Sequence, residues 1–176
     1  AGSRMGGPKA TIEIDGQRLV DRAVTVFHDG GIKVVYVVLG AWQGDVPGAQ
    51  VLINPDWQTG MGSSLRVGLD AILKNPEYSA AIISLVDLPG MTAAAIREIA
   101  ESSQEIVMGT FEGKPSHPVK FVRKHWQEIM KSAIGDFGAR NFLKGRGDVF
   151  FIALDHLADG RDVDTPEDLA GLTGRL

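Results

Sequence analysis

Asp87, Arg4 and Lys9 are the residues of this 176-residue chain whose types and settings best suit phosphate and metal chemistry. Asp87 stands in LVDLPG, at the end of the all-apolar run AAIISLV. Ligands of open α/β sheets bind outside the carboxyl ends of the strands, and Mg²⁺ takes oxygen donors, so a lone carboxylate there is a place for a magnesium ligand. An aspartate shortly before proline also starts turns, and that reading is equally open. Arg4 and Lys9 belong to the opening stretch AGSRMGGPKA. Its small residues let backbone amides approach a phosphate, and the two cations would neutralise its charge. A solvated glycine-rich terminus is the plain alternative. The spacings of the P-loop and of the dinucleotide fingerprint are both absent.

Four further stretches carry polar groups at element ends. GMGSSLRVGL puts Ser63 and Ser64 at a helix start, where free amides and hydroxyls can hold an anion or the edge of a base, or where serine simply caps the helix. RDVDTPEDL sets Asp164 before Thr165 and Pro166, a pattern that reads first as helix capping, with Glu167 and Asp168 favoured by the helix dipole. His117-Pro118 opens a strand; no serine or cysteine nucleophile system surrounds it. GDFGAR offers Asp136 and Arg140 at a helix start, either as an anion site or as a cap.

The elements that must position these residues alternate. RLVDRAVTVFHDGG reads as a helix with Leu19, Val20, Ala23, Val24 and Phe27 on one face, stopped by Gly30-Gly31. KVVYVVL (33–39), QVLIN and AAIISLV (80–86) read as strands, the first and last buried on both faces. Between them lie the helix 60–75 and, after Thr92 as cap, the helix AAAIREIAES. EIVMGTF and HPVKFV are strands, RKHWQEIMKSA and 137–143 helices, VFFIAL a last strand and TPEDLAGLT a capped closing helix. Asp15-Gly16 turns between two short extended pieces. The pattern predicts one α/β domain, 1–176, with a doubly wound, mainly parallel sheet and helices on both faces.

Composition narrows the function classes. A net charge of −4 argues against a general nucleic-acid binder. The absence of cysteine excludes disulfides, thiolate metal sites and cysteine nucleophiles. No apolar run reaches the roughly 18 residues of a membrane span. No signal peptide is visible, and a cytoplasmic setting without membrane attachment is expected.

Taken in order, SRMGGPKA, INPDWQTGMGSSLRVGL, LVDLPGMT, SHPVKF, GDFGAR and DVDTPEDL resemble the motifs of the MobA-like nucleotidyltransferases, especially the branch that makes molybdenum cofactor cytidine dinucleotide, nearly end to end. The resemblance implies a Rossmann-like nucleotidyltransferase fold. It also implies Mg²⁺-dependent transfer of a nucleoside monophosphate from an NTP to the phosphate of molybdopterin, with release of pyrophosphate. Arg4 and Lys9 would then hold the triphosphate, with Ala1, Gly2 and Ser3 in the same nucleotide loop. Ser63 and Ser64 would lie near base and ribose. Asp87 and Asp164 would share Mg²⁺ and the α-phosphate, and His117, Asp136 and Arg140 would face the acceptor. The pair Ala1-Gly2 leans towards CTP over GTP. A molybdoenzyme or its chaperone is an implied partner.

Such a transfer needs alignment and charge neutralisation rather than a nucleophilic side chain. The chain departs from the family at its start. The apolar strand that precedes the signature loop is absent, and the loop is two residues shorter between A-G and R-M-G. The first strand is therefore expected to be missing here and present in the natural protein. Two rival readings stay open. One is the same fold acting on another phosphorylated acceptor, such as a sugar phosphate, a methylerythritol phosphate or a phospholactate-type acid. The other is a binding module for nucleotide or cofactor without turnover.

Overall fold

Two-residue turns and glycine stops cut the chain into short elements. The computed structural model describes residues 7–165, 167, 168 and 170. Ala1, Gly2, Ser3 and Arg4 lie outside the described residues, as does Pro166 of the closing helix. Asp15-Gly16 joins the strands β1 (Glu13–Ile14) and β2 (Gln17–Arg18) in a hairpin, and α1 (Leu19–Asp29) follows at once. Then come β3 (Tyr36–Leu39), β4 (Gln50–Ile53), α2 (Met61–Leu73), β5 (Ala80–Ile83) and α3 (Ala93–Glu101). The chain continues through β6 (Ile106–Phe111), β7 (Lys114–Val122), α4 (Trp126–Ser132), α5 (Arg140–Leu143) and β8 (Phe150–Ala153). Thr92 caps α3 as expected, its hydroxyl accepting from Ala95 N at 3.3 Å. None of the described helices is long and apolar enough to cross a membrane.

The strands form a parallel β3–β4 pair and a four-stranded ladder in the order β5-β7-β6-β8. Strands β5, β6 and β8 share one direction, and β7 runs against both its neighbours. The reversal has a local cause. Glu112 and Gly113, at φ 50° and 70°, make the two-residue turn whose twist matches an antiparallel hairpin. The sheet thus keeps its mainly parallel sense with one antiparallel member.

Helices cover both faces, as the alternation of side chains along the strands requires. Ala81 and Ile83 of β5, Ile106 and Met108 of β6, and Val119 and Phe121 of β7 pack with Leu69 of α2, Trp126 and Ile129 of α4 and Phe142 of α5. The intervening Ile82 and Val107 pack on the opposite side with Ala95, Ile96 and Ile99 of α3 and with Val26 and Phe27 of α1. Val20 and Val24 of α1 cover Val35, Val37 and Leu39 at β3. On β7, Lys120 points to the α3 side and is only 6% exposed. Its ammonium donates to the carbonyls of Ala100 and Ser102, where a cation complements the end of α3. Burial lowers its pKa.

Three expectations need correction. The ladder of β5 ends at Ile83, so Ser84, Leu85 and Val86 leave the sheet before Asp87. β5 is not buried on both faces: Ala80 is exposed and the rest half-buried. Among the described residues β5 has a ladder partner on one side only, β7, and β3 likewise has only β4. The helix expected over 137–143 is broken, because Gly138 at φ 52° separates a tight turn at Gly135–Phe137 from α5.

Candidate functional site

Two loops that are distant in sequence are stapled side by side. The Thr92 hydroxyl donates to the Leu157 carbonyl at 2.8 Å, Asp159 N donates to Gly90 O at 3.0 Å, and Val163 N donates to Asp87 O at 2.9 Å. From α1, Arg22 donates to Pro89 O at 2.7 Å and pins the same loop from behind. These bonds bring the residue after Val163, which is Asp164, beside Asp87.

The third member arrives from the chain's start. Pro8 leads into a tight turn at Lys9–Thr11, held by Thr11 N and Thr11 Oγ1 on Pro8 O at 3.1 and 3.0 Å. From it the Lys9 ammonium donates to Asp87 Oδ2 at 2.7 Å and to Asp164 Oδ1, across 78 and 155 residues of sequence. The side chains of Lys9 and Asp87 are each 17% exposed and that of Asp164 33%. Burial works against the Lys9 charge, but the hydrogen bonds to Asp164 and Asp87 and the charges of both carboxylates together raise its pKa. Asp164 is left to face Lys9 because Thr165 takes the capping role. Asp168 N donates to Thr165 Oγ1 at 3.2 Å, while the Asp168 carboxylate accepts from Thr165 N at 2.8 Å, a reciprocal capping box.

The donor set fits a divalent cation of the hard kind. Both carboxylates offer oxygen, and Asp87 Oδ1 is buried with no hydrogen-bond partner among the described residues. A buried carboxylate oxygen without a partner is costly unless something else uses it. Among the described residues no group of three or more His, Asp or Glu side chains gathers to hold a metal. Mg²⁺, which keeps several waters and needs only one or two protein carboxylates, is compatible with that sparse set.

His117 sits half-buried on β7, its ring Nδ1 3.2 Å from Ile83 O. A carbonyl can only accept, so Nδ1 carries the proton and Nε2 is the open position of the neutral ring. Desolvation lowers the His117 pKa; the bond to Ile83 and the charge of Asp87 oppose the shift, and the charge of Arg140 adds to it. Because the folded protein resists charging this ring, the unfolded chain binds more protons below about pH 6.5 and stability falls with acid. Melting temperatures between pH 7.5 and 5 will drop more steeply for the wild type than for His117→Gln; parallel profiles would contradict a buried neutral ring.

The α2 end is arranged differently from the sequence expectation. Neither serine caps it. Met61 N donates instead to Asp136 Oδ1 at 3.2 Å, so the GDFGAR loop supplies the cap from elsewhere in the chain. Ser63 is 3% exposed, and its hydroxyl donates to Gly60 O and Asp56 O at 2.8 and 3.1 Å. Asn54, 1% exposed, donates from Nδ2 to Ser63 Oγ and Ser64 Oγ at 2.8 and 3.0 Å. In the sequence Asn54 is marked only by its place directly after the apolar strand QVLI and within the INPDW stretch of the family resemblance, neither of which gives its amide a role. Beside this end Met61, Ile134 and Phe137 form exposed apolar surface, at 39%, 65% and 58% exposure. Arg140, at the start of α5, is exposed as well.

Lys9, Asp87 and Asp164 are therefore in direct contact, and His117 lies close enough to feel the charges of Asp87 and Arg140. Asp136, Ser63 and Ser64 gather at the α2 end. Ala1, Gly2, Ser3 and Arg4 lie outside the described residues.

The MobA-like NTP transferase domain matches residues 1–150 of the chain. Nicotine blue oxidoreductase of Paenarthrobacter nicotinovorans is 30% identical over 96% of the chain and 90% of its own length. The structure of Rv0371c from Mycobacterium tuberculosis superposes with a TM-score of 0.80 at 24% identity, covering 100% of this chain and 94% of that one. A manganese complex of the same mycobacterial protein gives 0.73 at 23% identity, covering 96% and 92%. The molybdopterin-guanine dinucleotide biosynthesis protein A of Archaeoglobus fulgidus gives 0.63 at 10% identity, covering 97% and 91%. These structures share the nucleotidyltransferase fold with this chain.

Proposed function

The chain belongs to the MobA-like NTP transferase family, and on that premise we propose that it transfers a nucleoside monophosphate from an NTP to a phosphorylated acceptor. The observation that carries this reading is the pair of hydrogen bonds by which Lys9 joins Asp87 and Asp164 across the length of the chain. In the reaction an acceptor phosphate oxygen forms a bond to the α-phosphorus. The bridging bond between α- and β-phosphate breaks, and pyrophosphate leaves with the electron pair. Asp87 and Asp164 would hold Mg²⁺, which supplies charge neutralisation at the phosphates; the manganese complex of Rv0371c supports a divalent ion. Lys9 and Arg4 neutralise the triphosphate. Ala1, Gly2 and Ser3 contribute to nucleotide binding, with CTP preferred to GTP. Ser63 and Ser64, oriented by Asn54, shape the wall on the base and ribose side.

The acceptor approaches from the side of His117, Asp136 and Arg140, and molybdopterin is the acceptor we favour. An arginine for a phosphate, on the segment that carries exposed Ile134 and Phe137, suits a phosphate attached to a ring system better than one attached to a bare polyol. On this reading the protein works in the cytoplasm and supplies a molybdoenzyme or its chaperone. Incubation with each NTP, Mg²⁺ and either molybdopterin or methylerythritol phosphate will release pyrophosphate with molybdopterin and CTP. Release with methylerythritol phosphate alone would move the assignment to that acceptor.

The nicotine blue oxidoreductase relative favours a second reading, oxidation or reduction of nicotine blue or a compound like it. Consumption of a nicotinamide dinucleotide with nicotine blue, and no pyrophosphate with any NTP, would establish it instead.

A further inference from the structure

Lys9 holds, with one ammonium, both of the carboxylates that the proposed function gives to the divalent ion. We propose that Lys9 is the resident counter-cation of that site, so that the metal is admitted together with the triphosphate and not ahead of it. The proposal rests on the transferase reading and adds an order of binding to it.

Three observations carry it. First, the ammonium touches Asp87 Oδ2 and Asp164 Oδ1, one oxygen of each carboxylate, and so lies between the two acids. A divalent ion ligated by both acids meets this positive charge at close range, in a setting where Lys9 and Asp87 are only 17% exposed and water screens weakly. Second, the lysine does not complete the site. Asp87 Oδ1 stays buried and unpartnered among the described residues, so Asp87 has coordinating capacity that the ammonium does not use. Third, Lys9 can leave without disturbing the fold. Its backbone is fixed in the turn at Lys9–Thr11, with Ile12 N on Lys9 O at 3.2 Å and Leu19 N on Ile12 O at 2.8 Å, while the charge rides on a flexible four-carbon stem. A triphosphate arriving at the same loop gives the ammonium a new and richer set of anionic oxygens. The carboxylates it releases then face the cation that travels with the nucleotide. Metal and nucleotide thus assist each other through one side chain, and the assistance is reciprocal by linkage.

The test is Mn²⁺ binding, followed by loss of the free-ion electron paramagnetic resonance signal, in the wild type and in Lys9→Met, without nucleotide. Lys9→Met will bind Mn²⁺ at least tenfold more tightly than the wild type, and adding Asp87→Asn to it will abolish the gain. Lys9→Arg, which restores a cation, will return binding to the weak wild-type level. Lys9→Gln carries the same expectation as Lys9→Met and replaces it should that variant fail to melt cooperatively. Equal or weaker Mn²⁺ binding by the uncharged variants would overturn the proposal while leaving the transferase reading intact, provided the wild type takes up Mn²⁺ with CTP. Failure of the wild type to take up Mn²⁺ beyond what CTP alone binds, with Asp87→Asn making no difference, would overturn the metal assignment and the proposal together.

Discussion

Asp87→Asn will lower kcat by about 10³-fold or more, the scale set by losing several kcal/mol of metal-borne charge stabilisation in the transition state. The substitution is nearly isosteric. It keeps an acceptor oxygen for Lys9 and leaves the backbone bond from Val163 N to Asp87 O in place. The two stapled loops therefore stay together, and the melting temperature will change little. What is lost is the negative charge and the pair of equivalent oxygens, one of them the buried, unpartnered Oδ1. Initial rates of pyrophosphate release at saturating NTP, alongside thermal melts, check this. A variant that keeps kcat within tenfold of the wild type would show that Asp87 starts a turn and does no more.

Gly60→Ala will be the most disruptive single methyl at the site. Gly60 precedes α2 at φ 111°, where a side chain is strained whatever space it finds. Space is also denied, since a Cβ there would lie 2.4 Å from the carbonyl carbon of Gly135 and 2.8 Å from Asp136 N. These are backbone atoms, so relief requires lifting the 133–138 segment from α2. That movement breaks the bond from Met61 N to Asp136 Oδ1 and carries Arg140 away with the loop. Strain and overpacking together cost about 2–5 kcal/mol, readable as a lower urea midpoint. The acceptor KM will rise several-fold while the KM for NTP changes little. An unaltered midpoint with an unaltered acceptor KM would contradict the packing described.

Local pattern made much of the fold legible. Gly30-Gly31 does stop α1, Thr92 does cap α3, and the apolar runs after 33 and 104 do become strands. The reversed direction of β7 was hidden because it depends on Glu112 adopting a positive φ, which glutamate seldom does. The shortness of β5 was hidden because Leu85 and Val86 look like strand residues. They leave the ladder because the loop they enter is fixed by tertiary bonds to 157–163, not by their own propensity.

The site divides along the same line. Asp87 and Lys9 could be singled out by type and neighbours. Asp164 could not be chosen over a helix cap from RDVDTPEDL itself, because the choice is made by Thr165 and Asp168 bonding each other. The meeting of Lys9 with both aspartates is a property of three loops joined by the fold, and no local spacing encodes it. The resemblance to a family supplied what local reading lacked there. It took in Asn54 only as part of the INPDW stretch, without the role of its amide in ordering both serines at the α2 end, and it gave no sign of Asp136 standing in for a serine cap.

The most direct measurement follows the α-phosphate. With CTP labelled at the α-phosphorus, Mg²⁺ and a phosphorylated acceptor such as molybdopterin, the label will appear in the acceptor product. Label at the γ-phosphorus will leave in pyrophosphate, and both transfers will stop in Asp87→Asn. Recovery of all α-label as unreacted nucleotide, for every NTP and acceptor tried, would contradict nucleotidyl transfer as the work of this site.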